Sequence, residues 1–247
     1  MRSQRSRRGA PLLSRGAKVN ALGGACSALM QATGRGYSEV AEVLLADPAC
    51  DVNLQNHKQG GTTALHMAVQ GNRPAMCKML LDRGAKVELA DMNGTTAFHL
   101  AALMGLAKPI DVFIAHGVPI DLVGEGGGCP LKCAAQEGHV AICTTLLDAG
   151  ADANHVDAKG LDALVSAASN SRDAVCSLLL SRGASARRVY PDLRTALYMA
   201  VQKQSLPTVR VLMAAGADPL HVNAFGKTPL DLALHCGNQP LVALLRA

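Results

Sequence analysis

Aromatic side chains are almost missing from this 247-residue sequence: it has three Phe, three Tyr and no Trp, 2% of the total. A core packed around rings is therefore excluded, and alanine and leucine must fill the interior. No apolar run approaches the ~20 residues of a membrane-spanning helix, so membrane insertion is not expected. There is no C-x-x-C pair and no H-E-x-x-H. A zinc site would need ligands gathered from distant segments, and no cofactor is expected. The eight cysteines are scattered, which fits a reducing cytoplasmic or nuclear setting better than a disulfide framework.

An excess of one charge sign is also missing from most of the chain. The formal charge is +5, but residues 1–18 hold Arg2, Arg5, Arg7, Arg8, Arg15 and Lys18 and no acid. The remainder has 18 basic against 19 acidic residues. That near-neutral body offers no basic face for a nucleic-acid duplex. Residues 1–11, MRSQRSRRGAP, read as a basic disordered tail, either a sorting or anion-binding arm or a lead-in to the rest. No apolar run follows its arginines, as a secretory signal would require.

What the chain has in abundance is repetition. GTTALHMAVQG (61–71) returns as GTTAFHLAALMG (94–105), GCPLKCAAQEG (128–138), LDALVSAASNS (161–171), RTALYMAVQKQ (194–204) and KTPLDLALHCG (227–237). A weaker copy, CSALMQATGRG (26–36), comes first. The apolar anchors are Leu29, Leu65, Phe98, Leu131, Leu164, Leu197 and Leu230, spaced by 36 residues and thereafter by 33. A second motif keeps the same beat in LLDRGAKVE, LLDAGADAN, LLSRGASAR and LMAAGADPL, with Gly84, Gly150, Gly183 and Gly216.

Each unit reads as two helices and a loop. Pro130 opens a first helix where its missing N–H costs nothing, and Leu131, Ala134 and Ala135 recur at helical spacing up to Gly138. After His139, the residues Ile142, Cys143, Leu146 and Leu147 form the stripe of a second helix, and Gly150 closes it. DANHVDAKG (152–160) then leads into the next unit through a turn. Ala68, Ala101, Ala134, Ala167, Ala200 and Ala233 all fall three residues after an anchor, where a small side chain lets stacked helices approach. Cys77, Cys143 and Cys176 fall twelve after, on the buried face of the second helix, as small hydrophobes. Thr63 and His66 look at first like a piece of chemistry. Yet the histidine position is filled in turn by Met30, His66, His99, Lys132, Val165, Tyr198 and Asp231, so a capping threonine with an optional polar partner is the better reading.

These two motifs in phase resemble the ankyrin repeat, whose 33-residue unit carries T-P-L-H-x-A. The resemblance implies an all-α solenoid of stacked helix-turn-helix units with hairpin fingers. The expected boundaries are a partial repeat at 12–20, then repeats at 21–53, 54–88, 89–121, 122–154, 155–187, 188–220 and 221–247. It further implies a scaffold or adaptor, not an enzyme, that binds a protein or peptide on a concave groove of finger tips and first-helix faces. The chain would be a monomer or part of a larger protein. The alternative is a substrate-targeting or regulatory arm of a multidomain ubiquitin ligase, kinase or acyltransferase.

Carried onto this sequence, the groove takes Met92, Asn93, Thr95, Leu103 and Met104 from the third unit and Glu125, Gln136 and Glu137 from the fourth. The fifth adds Lys159, Leu161, Ser169 and Asn170, and the sixth Arg194, Gln202 and Lys203. Apolar Leu103 and Met104 stand out on a surface expected to be polar. The same resemblance implies two candidate asparagine-hydroxylation sites, Asn53 (after Leu45 and Asp51) and Asn154 (after Leu146 and Asp152). The competing reading is that both asparagines serve loop backbone groups.

Other chemistry fits poorly. AFGKT (224–228) ends like a phosphate-binding loop, but the required first glycine falls at His221. GEGGG (124–128) has no lysine after it and reads as a flexible finger tip. Cys129 and Cys133 stand four apart with no histidine in register. No catalytic residues and no metal ligands are therefore expected.

Overall fold

A computed structural model describes residues 18–23, 26–191 and 194–246. The basic tail at 1–11 and most of the partial repeat at 12–20 lie outside the described residues. The chain divides into two compact units: residues 1–101 with 106–125, and residues 102–105 with 126–247.

In the first unit, two short antiparallel strands, β1 (Leu22–Gly23) and β2 (Cys26–Ser27), place Leu22 opposite Ser27. Three helix pairs follow: α1 (Ala28–Arg35) with α2 (Ser38–Leu45), α3 (Ala64–Gln70) with α4 (Pro74–Asp82), and α5 (Ala97–Leu103) with α6 (Ala107–Ala115). First helix α1 packs on first helix α3, and second helix α4 on second helix α6. Phe98 and Phe113 meet with ring centroids 5.1 Å apart.

The second unit holds α7 (Pro130–Glu137), α8 (Val140–Asp148), α9 (Ala163–Ser169), α10 (Asp173–Ser181), α11 (Ala196–Gln202), α12 (Leu206–Ala214), α13 (Pro229–His235) and α14 (Gln239–Arg246). They form two rows, α7–α9–α11–α13 and α8–α10–α12–α14, each helix packed on the next of its own kind.

The pattern of small and large side chains explains this stacking. The six alanines three residues after Leu65, Phe98, Leu131, Leu164, Leu197 and Leu230 have no exposed surface, and the anchors before the last are at most 3% exposed. Second helices bury Leu80, Phe113, Leu146, Leu179 and Leu212 completely. Cys77, Cys143 and Cys176 lie in the same row, and burial pushes each thiol up to about 12. All eight cysteines are free thiols.

Helix ends follow from local chemistry. Ser27, Thr63, Asp162, Thr195 and Thr228 sit in extended backbone and accept the amide three residues on, satisfying a donor the helix cannot use. Five of the second helices, α4, α6, α8, α10 and α12, close on a left-handed glycine. Gly150 has φ 94°, which lets the Ala151 N–H turn back to the Leu146 carbonyl at 3.0 Å.

Thr63 and His66 form a reciprocal cap. The His66 Nδ1 accepts the Thr63 N–H at 3.3 Å and lies 2.9 Å from its hydroxyl. On the other side of the ring, Nε2 lies 3.0 Å from the Thr95 carbonyl. An amide can only donate and a carbonyl can only accept, so the ring is neutral with its proton on Nε2. Burial lowers the His66 pKa, against the pull of the Thr95 carbonyl and Asp91. The unfolded ring therefore binds a proton at higher pH than the folded one. Stability from this site is complete above the unfolded value of about 6.5 and is lost as pH falls towards the lower folded value. Thermal unfolding at neutral pH and near pH 5 should show the loss, and His66→Gln should flatten it.

Fingers connect the pairs. In Asp91, Asp157 and Asn223 a side-chain oxygen accepts two amides of its own turn; for Asp157 these are Lys159 at 2.8 Å and Leu161 at 2.9 Å. Backbone bonds then run from finger to finger, Glu125 N–H to the Gly94 carbonyl in the first unit and Ala158 N–H to the Gly126 carbonyl in the second.

This geometry corrects the reading of GEGGG as flexibility. A Cβ at Gly124 would stand 2.5 Å from the Gly94 carbonyl oxygen, and one at Gly127 would stand 2.6 Å from the Ala158 nitrogen. These glycines are close-approach positions, and Gly127 is also left-handed at φ 71°. Gly127→Ala should cost about 1–3 kcal/mol in urea unfolding, while Gly126→Ala, with open space around it, should cost little.

Loops after the second helices are tied forward by side chains. Asn53 donates to the Gly84 carbonyl at 3.2 Å and accepts the Lys86 amide at 2.8 Å. Asn154 does the same to Gly183 at 3.0 Å and Ser185 at 3.2 Å. Asn20 makes the matching pair with Ala49 and Asp51. Both hydroxylation candidates thus serve loop backbone groups in the fold.

Candidate partner-binding surface

The expected groove residues fall into separate groups. In the first unit, Met92 is 72% exposed, and Asn93 next to it and Glu125, 33 residues on at the following finger, are exposed as well. Thr95 is half-buried, with its carbonyl facing the His66 ring and its N–H bonded to Asp91. Among residues 102–105, Leu103 is half-buried and its carbonyl accepts from His139 Nε2 at 2.9 Å, whereas Met104 is 44% exposed. In the second unit Gln136, Glu137, Lys159, Asn170, Gln202 and Lys203 are exposed, and Leu161, Ser169 and Arg194 half-buried.

Five of these, Gln136, Leu161, Ser169, Asn170 and Arg194, line one cavity of about 250 Å³ among α7, α9, α11 and the fingers before them. Its remaining lining is Lys132, Val165, Ser166, Tyr190 and Met199, which the repeat pattern does not single out. Burial sorts these side chains by depth. Val165, Ser166 and Tyr190 are buried and form the floor, Leu161, Ser169, Arg194 and Met199 the half-buried walls, and Gln136 and Asn170 the exposed rim.

The floor exists because one finger departs from its neighbours. Where Asp157 and Asn223 fold their own turns, the sixth unit has Tyr190, 3% exposed. Its hydroxyl donates to Asp162 Oδ1 at 2.8 Å. Asp162 replaces the capping threonine of other units and accepts the Val165 amide at 2.9 Å. Arg188 Nε lies 3.0 Å from Asp162 Oδ2, an ion pair whose N–H does not point along a hydrogen-bond direction. Burial pushes the Asp162 carboxyl up, against the pull of Val165, Tyr190 and Arg188. Burial, with Asp162 beside it, also raises the Tyr190 hydroxyl.

A second pair braces the wall. Lys132, in the histidine position, reaches forward to Asp157 of the next finger. Burial pushes the Asp157 carboxyl up, but Lys132 and the Leu161 and Lys159 amides outweigh it and hold the group below the usual carboxylate range. Both buried carboxylates are thus matched internally by cations. A signal for this cluster is present in the sequence: a tyrosine where the units on either side have an Asx residue, and an aspartate where threonine is the rule.

Chemically the arrangement can hold a side chain or short segment. Among the described residues no group of three His, Cys, Asp or Glu side chains could hold a metal ion, and no helix is long and apolar enough to cross a membrane.

A family model described as ankyrin repeats (3 copies) matches residues 10–91, 29–123, 85–157, 109–190, 131–223 and 164–247. The chain therefore belongs to the ankyrin repeat family, and its fold is the all-α ankyrin-repeat solenoid. Among solved structures it is similar to the human ASB11 ankyrin repeat domain, at 26% identity and a TM-score of 0.75. That match covers 89% of this chain and 96% of the other. A comparison with curated proteins found no match. Ankyrin repeats generally mediate protein–protein interaction.

Proposed function

We propose that this chain is a protein-interaction scaffold whose partner docks on the fingers and first helices of residues 126–247. The cavity between α7, α9 and α11 carries this reading. It is shared by three consecutive repeats, its mouth is lined by exposed polar side chains, and its floor is held by a buried polar cluster. A rigid, pre-shaped recess of that kind suits recognition without reorganisation of the scaffold.

Affinity purification on the full chain tests it. Asn170→Trp narrows the mouth from an exposed position, and Met104→Glu adds charge to an exposed apolar side chain. The captured proteins should be depleted by Asn170→Trp while its melting curve stays that of the wild type. An unchanged set of captured proteins would sink the proposal. Loss on Met104→Glu alone would move the docking surface to residues 102–105.

A further inference from the structure

We infer that Asn93 is a site of spontaneous covalent modification: the Gly94 nitrogen displaces its side-chain amide, and the isoaspartyl product cannot close the finger again. The finger at residues 91–95 is thereby a one-way latch in the first unit.

The sequence supplies the reactive pair. Of nine asparagines, Asn93 alone is followed by glycine, whose missing side chain leaves the backbone nitrogen unhindered. Most of the others have their side chains held. Asn53 and Asn154 are tied across the loops, Asn170 donates to the Ser166 carbonyl at 2.8 Å, and Asn223 accepts two amides of its own turn. Asn93 is exposed and only its backbone amide is engaged, with Asp91 Oδ1 at 2.9 Å. Asn72 has an equally free side chain, but it precedes Arg73, whose side chain crowds the attacking nitrogen.

The fold keeps this glycine. Gly94 is left-handed at φ 73°, and a Cβ there would stand 2.7 Å from Glu125 Cβ. The labile pair is therefore a by-product of the close passage between two fingers. While the finger is closed, Gly94 is buried and its N–H donates to the Asp91 carbonyl at 2.9 Å. Its nitrogen can attack only when that turn opens, so the rate follows local opening.

In the open finger the Gly94 nitrogen gives its proton to hydroxide and bonds to Asn93 Cγ. The bond from Cγ to the side-chain nitrogen breaks, and ammonia leaves. Water then opens the cyclic imide at either carbonyl. One water is consumed, one ammonia is released, and nothing is oxidised or reduced. Opening at Cγ gives aspartate, which keeps the backbone and adds a charge. Opening at the main-chain carbonyl gives isoaspartate, which adds a methylene to the main chain beside Gly94. That is the place where one extra carbon already meets Glu125. The Gly94 carbonyl is then carried away from the Glu125 N–H that it accepts at 3.2 Å.

Ageing the full chain at neutral pH and in mild alkali, in water enriched in heavy oxygen, followed by peptide mass spectrometry, tests this. Asn93 should be the first of the nine to convert, faster in alkali, with one heavy oxygen gained and both isomers present. A free peptide of residues 88–98 should convert faster than the folded chain. In the aged isoaspartyl protein the Glu125 amide should exchange with deuterium faster by about tenfold or more, having lost its acceptor. Asn93→Asp adds the charge without the extra atom and should keep that amide protected, and Asn93→Gln should not age. Asn93 remaining an amide while the free peptide converts, another asparagine converting first, or aspartate forming without isoaspartate would each overturn the inference. So would a Glu125 amide that stays protected in the isoaspartyl protein.

Discussion

Replacing Asp162 by alanine should destabilise the second unit by about 2–4 kcal/mol, measured by urea unfolding. Breaking a buried ion pair by removing one partner typically costs about 3–5 kcal/mol, and the range is lowered here because the Arg188 side chain is 31% exposed and reaches water. Two groups lose their acceptor, the Val165 amide and the Tyr190 hydroxyl, and the Arg188 guanidinium loses its counter-charge. Asp162→Asn keeps an oxygen for the Val165 amide and removes the charge, so it should cost less. A further consequence separates this position from an ordinary helix cap. Tyr190 is part of the cavity floor, so Asp162→Ala should also weaken any ligand that reaches bottom. Thr228→Ala, at the capping position two repeats on, should lower stability without touching that affinity.

Truncating the anchor Leu164 to alanine should cost about 2–5 kcal/mol by leaving a cavity its neighbours cannot fill. Leu164 has no exposed surface and lies in α9, which packs on both α7 and α11. In a repeat array stability is a sum of unit and nearest-neighbour terms, so the loss is felt at two junctions at once. The unfolding transition should broaden or split, because the repeats on either side lose their coupling. Leu230→Ala is the contrast: that anchor is half-buried and should cost less. An equal loss at Leu164 and Leu230, with a transition as sharp as the wild type, would contradict stacking as the source of stability. Leu164 and Asp162 are near neighbours, so the double variant should not be additive.

Most of the architecture was legible in the sequence, because repetition makes one unit the control for the next. Anchors at a fixed interval, alanines three residues on, cysteines in the apolar row and the threonines that cap four of the first helices have one physical job each. They recur because the job recurs. What could not be read was the cavity. Its floor is made by departures from the pattern, Tyr190 and Asp162, that meet across 28 residues, with Arg188 26 residues from Asp162. Each looks by itself like a tolerated substitution, and only the fold shows that they compensate one another. Among the expected groove residues the same limit applies. Leu161 and Arg194 line the cavity while Lys159, on the same finger as Leu161, does not, because neighbouring finger residues point to different sides. Gly124 and Gly127 were misread for a related reason. Nothing in the sequence of a finger reveals how closely the adjacent backbone passes.

The asparagines of the closing loops carry a kinetic consequence. Asn53 holds the Lys86 amide and Asn154 the Ser185 amide, each belonging to the repeat that follows. Such an amide can exchange its hydrogen with solvent only when the earlier loop lets go, whatever the condition of its own helices. Deuterium uptake at Lys86 and Ser185 is therefore a clock on the preceding repeat, and the order in which those clocks run would read out the direction in which the array opens.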